Sequence, residues 1–468
     1  MVFRHHDGKR DVRGPHAGVP GSPTGNGTGA PMKTALPDAA ENWDMNVRAV
    51  ADLSPDERAA LFERDAGATA VREDVDDIVE RVREEGDVAL RSFAAEFDDV
   101  QVGNLEVTDE AERAYEAIDD DLRAAIETAA ENIRTFHERQ VPDDWRESFD
   151  GRELGRRFRP LERVGVYAPG GTAAYPSSVL MGVLPAKVAG VDHVAVATPP
   201  AEELNPATLA AAHVARPDTV YRVGGAQAVA ALAYGTETVS AVQKVVGPGN
   251  RWVTAAKAAV RGDVEIDFLA GPSELLIVCD ETADPELVAA DLLAQAEHDP
   301  DASVVCVTDD EATARAVVEA CERQTAERER TDTIEAALEN DASGVLLARS
   351  MSEAMLFAEE YAAEHLAIVA SEEEAVLDRI DSAGSVFLGE HTPVAAGDYA
   401  TGPNHVLPTG GFAKVAGGLS VDQFVRSTTV QRLDGDSLAD LRETVTALAR
   451  AEGLEAHAES VERRFGDE

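Results

Sequence analysis

Two spacings of apolar residues succeed one another along this chain. From Ser54 to Gln140 they return every three or four positions, and the stretches 70–95 and 110–138 carry an apolar stripe with acids on the other face. That periodicity predicts amphipathic helices. Ser54-Pro-Asp-Glu57 opens the series with an N-cap hydroxyl and Pro at the first helical position. From Arg163 short apolar runs take over: 164–168, 193–197, 219–223 and 243–246, then Glu274–Cys279, 303–307, 344–348, His365–Val369 and Ser385–Leu388. Helix-like segments alternate with them, which predicts an α/β chain with mostly parallel sheets. A polar loop from Gly389 to Gly418, rich in Asp, His and Asn, follows the last strand; a helix from about Ser437 to near His457 closes the pattern. Such a loop is too long to be a neutral connector.

Residues 1–44 share neither spacing. They are rich in Gly and Pro, 18–31 have almost no hydrophobic content, and five basic residues are matched by five acids. Such a segment cannot bury enough surface to order itself, so a disordered extension is expected, with folded sequence from near Met45. A chain beginning at Met45 is therefore expected to keep the parent's melting temperature and turnover; a loss of several degrees would make the extension part of the fold.

Composition narrows the function. The 468 residues and 44% hydrophobic content suffice for more than one core. The 88 acids outnumber the 42 Lys and Arg, for a formal net charge of −46 spread along the chain. Spread acidity repels nucleic acid and anionic membranes, so neither is expected as a partner. It is also a device of proteins working in concentrated salt, where charge is screened, and a salt-accumulating cytoplasm is expected. Cys279, Cys306 and Cys321 are too few and scattered for a disulfide framework or a cysteine-based zinc site. No run reaches the ~18 apolar residues of a membrane span, and no signal-peptide core is present. A soluble, cytoplasmic protein is expected.

The polar outliers carry the chemistry. Three strands run into glycine-bearing turns, Ala168-Pro-Gly-Gly171, Gly224-Gly-Ala-Gln227 and Gly247-Pro-Gly-Asn250. Turns at the carboxyl ends of parallel strands suit a nucleotide, though they equally suit tight connections, and no G-x-G-x-x-G follows the first strand. In Gln295-Ala-Glu-His298, on a helix from Pro285 to Pro300, an oxygen and a nitrogen three residues apart can face one divalent ion; alone the pair is weak, since a histidine at a helix end often only caps it. Glu364-His365 at a strand entrance could form an acid/base pair or an ordinary helix end. Asp398 and His405 sit in the long loop, and Glu452 and His457 on the last helix. His137, His193, His213 and His391 read as structural or surface residues.

Taken in order, Tyr167-Ala-Pro-Gly-Gly171, Gly224-Gly-Ala-Gln227, Gly247-Pro-Gly-Asn250, Ala270-Gly-Pro-Ser-Glu274, Ala294-Gln-Ala-Glu-His298, Ala363-Glu-His-Leu366, Thr392-Pro, Gly397-Asp-Tyr, Asn404-His-Val-Leu-Pro-Thr409 and Glu452-Gly-Leu-x-Ala-His457 resemble the histidinol dehydrogenase family. The resemblance runs from about Met45 to the C-terminus. It implies oxidation of L-histidinol through an enzyme-held aldehyde to L-histidine, the last step of histidine biosynthesis, with reduction of two NAD by a zinc-dependent homodimer. It further implies zinc, one per subunit, on Gln295, His298, Asp398 and His457. Ser273, His405 and Glu452 would join those four and His365 in the histidinol pocket, with NAD held by Tyr167, Gln227 and Asn250. His365 would take the hydroxyl proton and Glu364 would activate water. The implied organisation is a disordered extension (1–44), a zinc/catalytic α/β domain with N-terminal helices (45–166 and 276–418), a Rossmann-like NAD domain (167–275) and a C-terminal helical tail (419–468) completing the partner's active site. Two other readings are open: a zinc- and NAD-dependent dehydrogenase of another small polyol, and a zinc hydrolase using water activated by Glu364. Retention of His405, Glu452 and His457 counts against the first, and the three glycine turns against the second.

Overall fold

The helical spacing resolves into separate helices wherever the chain meets a residue that cannot continue the turn. A computed structural model describes residues 47–64, 67–170 and 175–466; the extension, Met45 and Gly171 of the first glycine turn lie outside them. Pro55–Phe62 starts on a full capping box, with the Ser54 hydroxyl accepting from Glu57 N–H and the Glu57 carboxylate from Ser54 N–H. The 70–95 stripe becomes Arg72–Glu85 and Asp87–Phe97, broken at Gly86, whose φ of 56° is costly for other residues. The 110–138 stripe becomes Glu110–Ala117 and Asp120–Glu138.

The strands build two parallel sheets. One has the order Thr219–Arg222, His193–Thr198, Arg163–Tyr167, Lys244–Val246, Glu265–Ile266. The other has the order Val47–Ala49, Gly344–Leu347, Ser303–Thr308, Glu274–Cys279, His365–Val369, Ser385–Leu388. Val47–Ala49 and Glu265–Ile266 are too short to show in the apolar pattern. Alternate residues feed opposite faces: Val164 and Val166 enter one core and Tyr167 another, while Leu275 and Ile277 lie opposite Leu276 and Val278.

A third sheet is antiparallel, in the order Val425–Arg432, Arg152–Pro160, Trp145–Phe149, with Trp145–Phe149 exposed throughout. Residues 419–468 are thus not a purely helical tail. The run Val425-Arg-Ser-Thr-Thr-Val-Gln-Arg432, β-branched at Val425, Thr428, Thr429 and Val430, pairs as a strand before the helices Gly435–Ala451 and Glu455–Glu462.

Two further expectations are corrected. The boundary drawn between 166 and 167 falls inside the strand Arg163–Tyr167. The helices between 72 and 138 also pack on the five-stranded sheet: Val75, Ile78 and Leu90 share a core with Tyr221 and Val245, and Ile126 and Ile133 share one with Val164 and Val196. Pro55–Phe62 packs on the six-stranded sheet instead, through Leu61. The described residues form one compact unit.

Arg72–Glu85 buries Val75, Ile78, Val79 and Val82 and exposes Glu73, Asp74, Asp76, Asp77 and Glu80. With acids about twice as numerous as bases, the folded surface repels itself at low ionic strength. Unfolding midpoints are expected to rise across a salt series; a flat or falling profile contradicts this.

Candidate active site

The two parallel sheets meet end to end. The carboxyl ends of the five-stranded sheet and the amino ends of Glu274–Cys279 and His365–Val369 border one cavity of about 1020 Å³. Tyr167, Gln227, Asn250, Ser273, Gln295, His298, Glu364, His365, Asp398 and His405 all line it. The usual rule that ligands sit at the carboxyl ends of parallel strands therefore describes only the five-stranded side.

On that side the turn at Gly247 is tightly fixed. Its φ is +112°, and a Cβ there would stand 2.1 Å from the Tyr167 carbonyl oxygen. Its N–H donates to Asp267 Oδ2 (2.8 Å) and its carbonyl accepts from Lys257 Nζ (2.5 Å), while Lys257 and Asp267 form a buried ion pair at 2.6 Å. Asn250 Oδ1 caps Arg251–Val260 by accepting from Trp252 and Val253 N–H, which leaves its amide NH₂ for a ligand. The Tyr167 hydroxyl accepts from Gly225 N–H (3.1 Å) and keeps its own proton; burial raises its pKa to about 12.

On the other side, helix Pro285–Ala296 holds Gln295 buried in its last turn. The helix stops short of Pro300, so His298 stands in the turn after it rather than on the helix, with Nδ1 donating to Ala294 C=O (3.0 Å). His405 Nδ1 donates to Asp398 C=O (2.9 Å) and His365 Nδ1 to Glu274 C=O (3.0 Å). A carbonyl can only accept, so each ring is held with Nδ1–H outward and Nε2 left over. The polar loop forms the helix Val394–Tyr399, which presents Asp398, and is anchored by Asn404 Nδ2 on Met181 C=O (2.7 Å).

Glu364 and His365 are both buried. Their side chains approach to 3.5 Å, and His365 Nε2 lies 3.5 Å from Asp398 Oδ1, too long for a good hydrogen bond. That nitrogen is otherwise unpartnered among the described residues. Burial acts to lower the His365 pKa, but the Glu364 and Asp398 carboxylates outweigh it and raise it to about 10. At Asp398 burial works upward, yet contact with His365 and the nearby His405 and His298 hold the carboxyl below its usual range. Burial lowers the His405 pKa.

A carboxamide, an imidazole and a carboxylate facing one space fit a zinc ion, whose ligands are N and O donors. Among the described residues no three His, Cys, Asp or Glu side chains group closely enough to hold a metal. Glu452 and His457 are exposed and line no part of the cavity. The chain thus gathers ten of the twelve site residues and leaves two outside.

Two elements of the site escaped the sequence reading. Lys257–Asp267 is invisible because its members lie ten residues apart on a helix and a loop. Arg64 and Glu274 form a second buried pair at 2.6 Å. A carboxylate at the head of the otherwise apolar strand Glu-Leu-Leu-Ile-Val-Cys was a usable signal, since buried charges are rare unless paired.

The profile described as histidinol dehydrogenase matches residues 62–465. A histidinol dehydrogenase of Natronomonas pharaonis is 83% identical over 421 residues, covering 90% of this chain and all of the relative. One from Haloarcula marismortui is 75% identical over the same shares. Among solved structures, histidinol dehydrogenase from Elizabethkingia anophelis superposes with a TM-score of 0.84 at 37% identity, covering 88% of this chain and 96% of that one.

Proposed function

The chain belongs to the histidinol dehydrogenase family, and on that premise we propose that it oxidises L-histidinol through histidinal to L-histidine while reducing two NAD. The observation that carries this is the placing of the Glu364–His365 pair across one cavity from Tyr167, Gln227 and Asn250, with Gln295, His298 and Asp398 beside them. Tyr167, Gln227 and Asn250 hold NAD, with glycine letting the cofactor approach the backbone of the Gly247 turn. Ser273, Gln295, His298, His365, Asp398 and His405 receive histidinol.

Zinc held by Gln295, His298, Asp398 and His457 would supply a Lewis acid that orients the substrate and draws the Asp398 charge away from His365. His365 Nε2, with Nδ1 held on Glu274 C=O, accepts the proton of the substrate hydroxyl as hydride leaves carbon for the nicotinamide. Glu364 then removes a proton from water as its oxygen bonds to the aldehyde carbon, and the proton on His365 passes to the former carbonyl oxygen, giving a diol and freeing His365. His365 accepts a proton from the resulting diol as a second hydride goes to a second NAD, leaving the carboxylic acid, which gives up its own proton to solvent.

Glu452 and His457 complete the site from the partner of a homodimer. Their exposure supports this reading, as do the uncovered Trp145–Phe149 strand and the exposed Leu448 and Leu454 of the same C-terminal region. No helix among the described residues is long and apolar enough to cross a membrane, and a salt-rich cytoplasm accords with the acidity and with the salt-loving relatives.

The direct test is NADH absorbance on adding histidinol: two NADH per histidinol are expected, lost on chelation and regained with zinc. No NADH from zinc-loaded protein would sink the reading. Within it, Glu364→Gln is expected to slow histidinal oxidation more than the first hydride transfer, whereas His365→Asn slows both. Single-turnover measurements decide; equal losses from both variants in both halves would remove the division of labour.

A further inference from the structure

We infer that Glu274, neutralised by Arg64, is a positioning residue that sets Glu364, His365 and the His405 loop in one fixed arrangement; this rests on the function proposed above. Glu274 is fully buried and touches no part of the cavity, so it cannot meet substrate or cofactor. Both its side chain and its backbone nevertheless hold the reacting groups. Its N–H donates to Glu364 Oε2 (2.8 Å), and its C=O accepts from His365 Nδ1 (3.0 Å). Its carboxylate reaches further: Oε2 accepts from Glu364 N–H (3.2 Å) and Oε1 from Gly410 N–H (2.6 Å). Gly410 follows Thr409, whose hydroxyl accepts from Gly271 N–H (2.6 Å), so the segment bearing His405 is tied at both residues to the strand entrance beside Ser273.

Arg64 supplies the opposite charge. One guanidinium nitrogen donates to Glu274 Oε2 (2.6 Å) and the other to Tyr361 C=O (2.8 Å), with the guanidinium 4.0 Å from the centre of the Tyr361 ring. Tyr361 ends the helix Met351–Tyr361, three residues before Glu364. The pair therefore clamps the helix end that leads into the catalytic dipeptide. Apolar residues of similar volume commonly fold as well as a buried ion pair. What they could not do is accept hydrogen bonds from two segments at once and fix the distance between them.

The test uses the full-length protein, assayed for NAD reduction with histidinol, with melting temperatures throughout. Glu274→Asp keeps the charge beside Arg64 but is one methylene too short to span both Gly410 and Glu364 N–H. It is expected to lose about tenfold to 100-fold in kcat, as small misplacements do, with the KM for histidinol and for NAD nearly unchanged. Glu274→Gln combined with Arg64→Met removes both charges together, so no buried charge is stranded; its melting temperature should stay near the parent's while kcat remains low. A merely structural pair predicts the opposite, with kcat following melting temperature. Parent-like turnover in Glu274→Asp, recovery of kcat in the double variant, or a loss confined to KM would each overturn the assignment. Should one variant fail to fold, the other decides. A parent that makes no NADH from histidinol indicts the proposed function instead, and the assignment falls with it.

Discussion

His298→Asn and His457→Asn homodimers are each expected to be inactive, and refolding the two together is expected to restore up to roughly a quarter of wild-type activity for random pairing. The cavity contains His298 but neither His457 nor Glu452, which stand exposed on and beside the helix Glu455–Glu462. Across a two-fold axis, one subunit's His298 would serve a site completed by the other's His457. Each homodimer then lacks one ligand in both sites. A mixed dimer has one site with both residues intact and one with neither. Half of a random mixture is mixed dimer, and half of its sites are whole. If the mixture stays inactive although mixed dimers form, His457 acts within its own chain.

Lys257→Met is expected to destabilise the protein by about 3–5 kcal/mol, the usual cost of stranding one member of a buried ion pair. Lys257 and Asp267 side chains are 3% and 0% exposed, so Asp267 would have no solvent to turn to. The same change frees the Gly247 carbonyl and loosens the turn leading to Asn250, so the KM for NAD should rise as well. Denaturant unfolding measures the first effect and initial rates the second. Combining Lys257→Met with Asp267→Leu should return most of the stability and little of the NAD affinity, because Gly247 N–H still lacks its acceptor. A single-variant loss below about 1 kcal/mol, the range of a surface pair, would contradict the burial argument.

Much of this was legible in the residues. Glu274–Cys279, His365–Val369 and Ser385–Leu388 begin and end where their apolar runs do; the first two are buried between layers, and the third is a half-buried edge strand. Ten polar residues from separate motifs face one cavity, and the ordered set resembling one family had already singled out each of them. What stayed hidden is what depends on contact between distant segments. Trp145–Phe149 and Val425–Arg432 are mostly exposed strands with too few apolar residues to mark a buried face, and pairing with Arg152–Pro160 makes them strands. The packing of the 72–138 helices on the five-stranded sheet is likewise absent from their periodicity, which shows that a face is buried and not against what.

The exposure of Glu452 and His457 also bears on how the enzyme would wear out. Both lie beyond Gly435–Ala451, on the surface side of the molecule, where a protease reaches first. A cut near residue 450 would leave the damaged subunit's own cavity whole. Under the sharing proposed above, the injury would appear across the two-fold axis, in the neighbour whose site takes those two side chains. One nick would silence one site of two, and the clipped subunit would keep turning over for as long as its partner stayed intact.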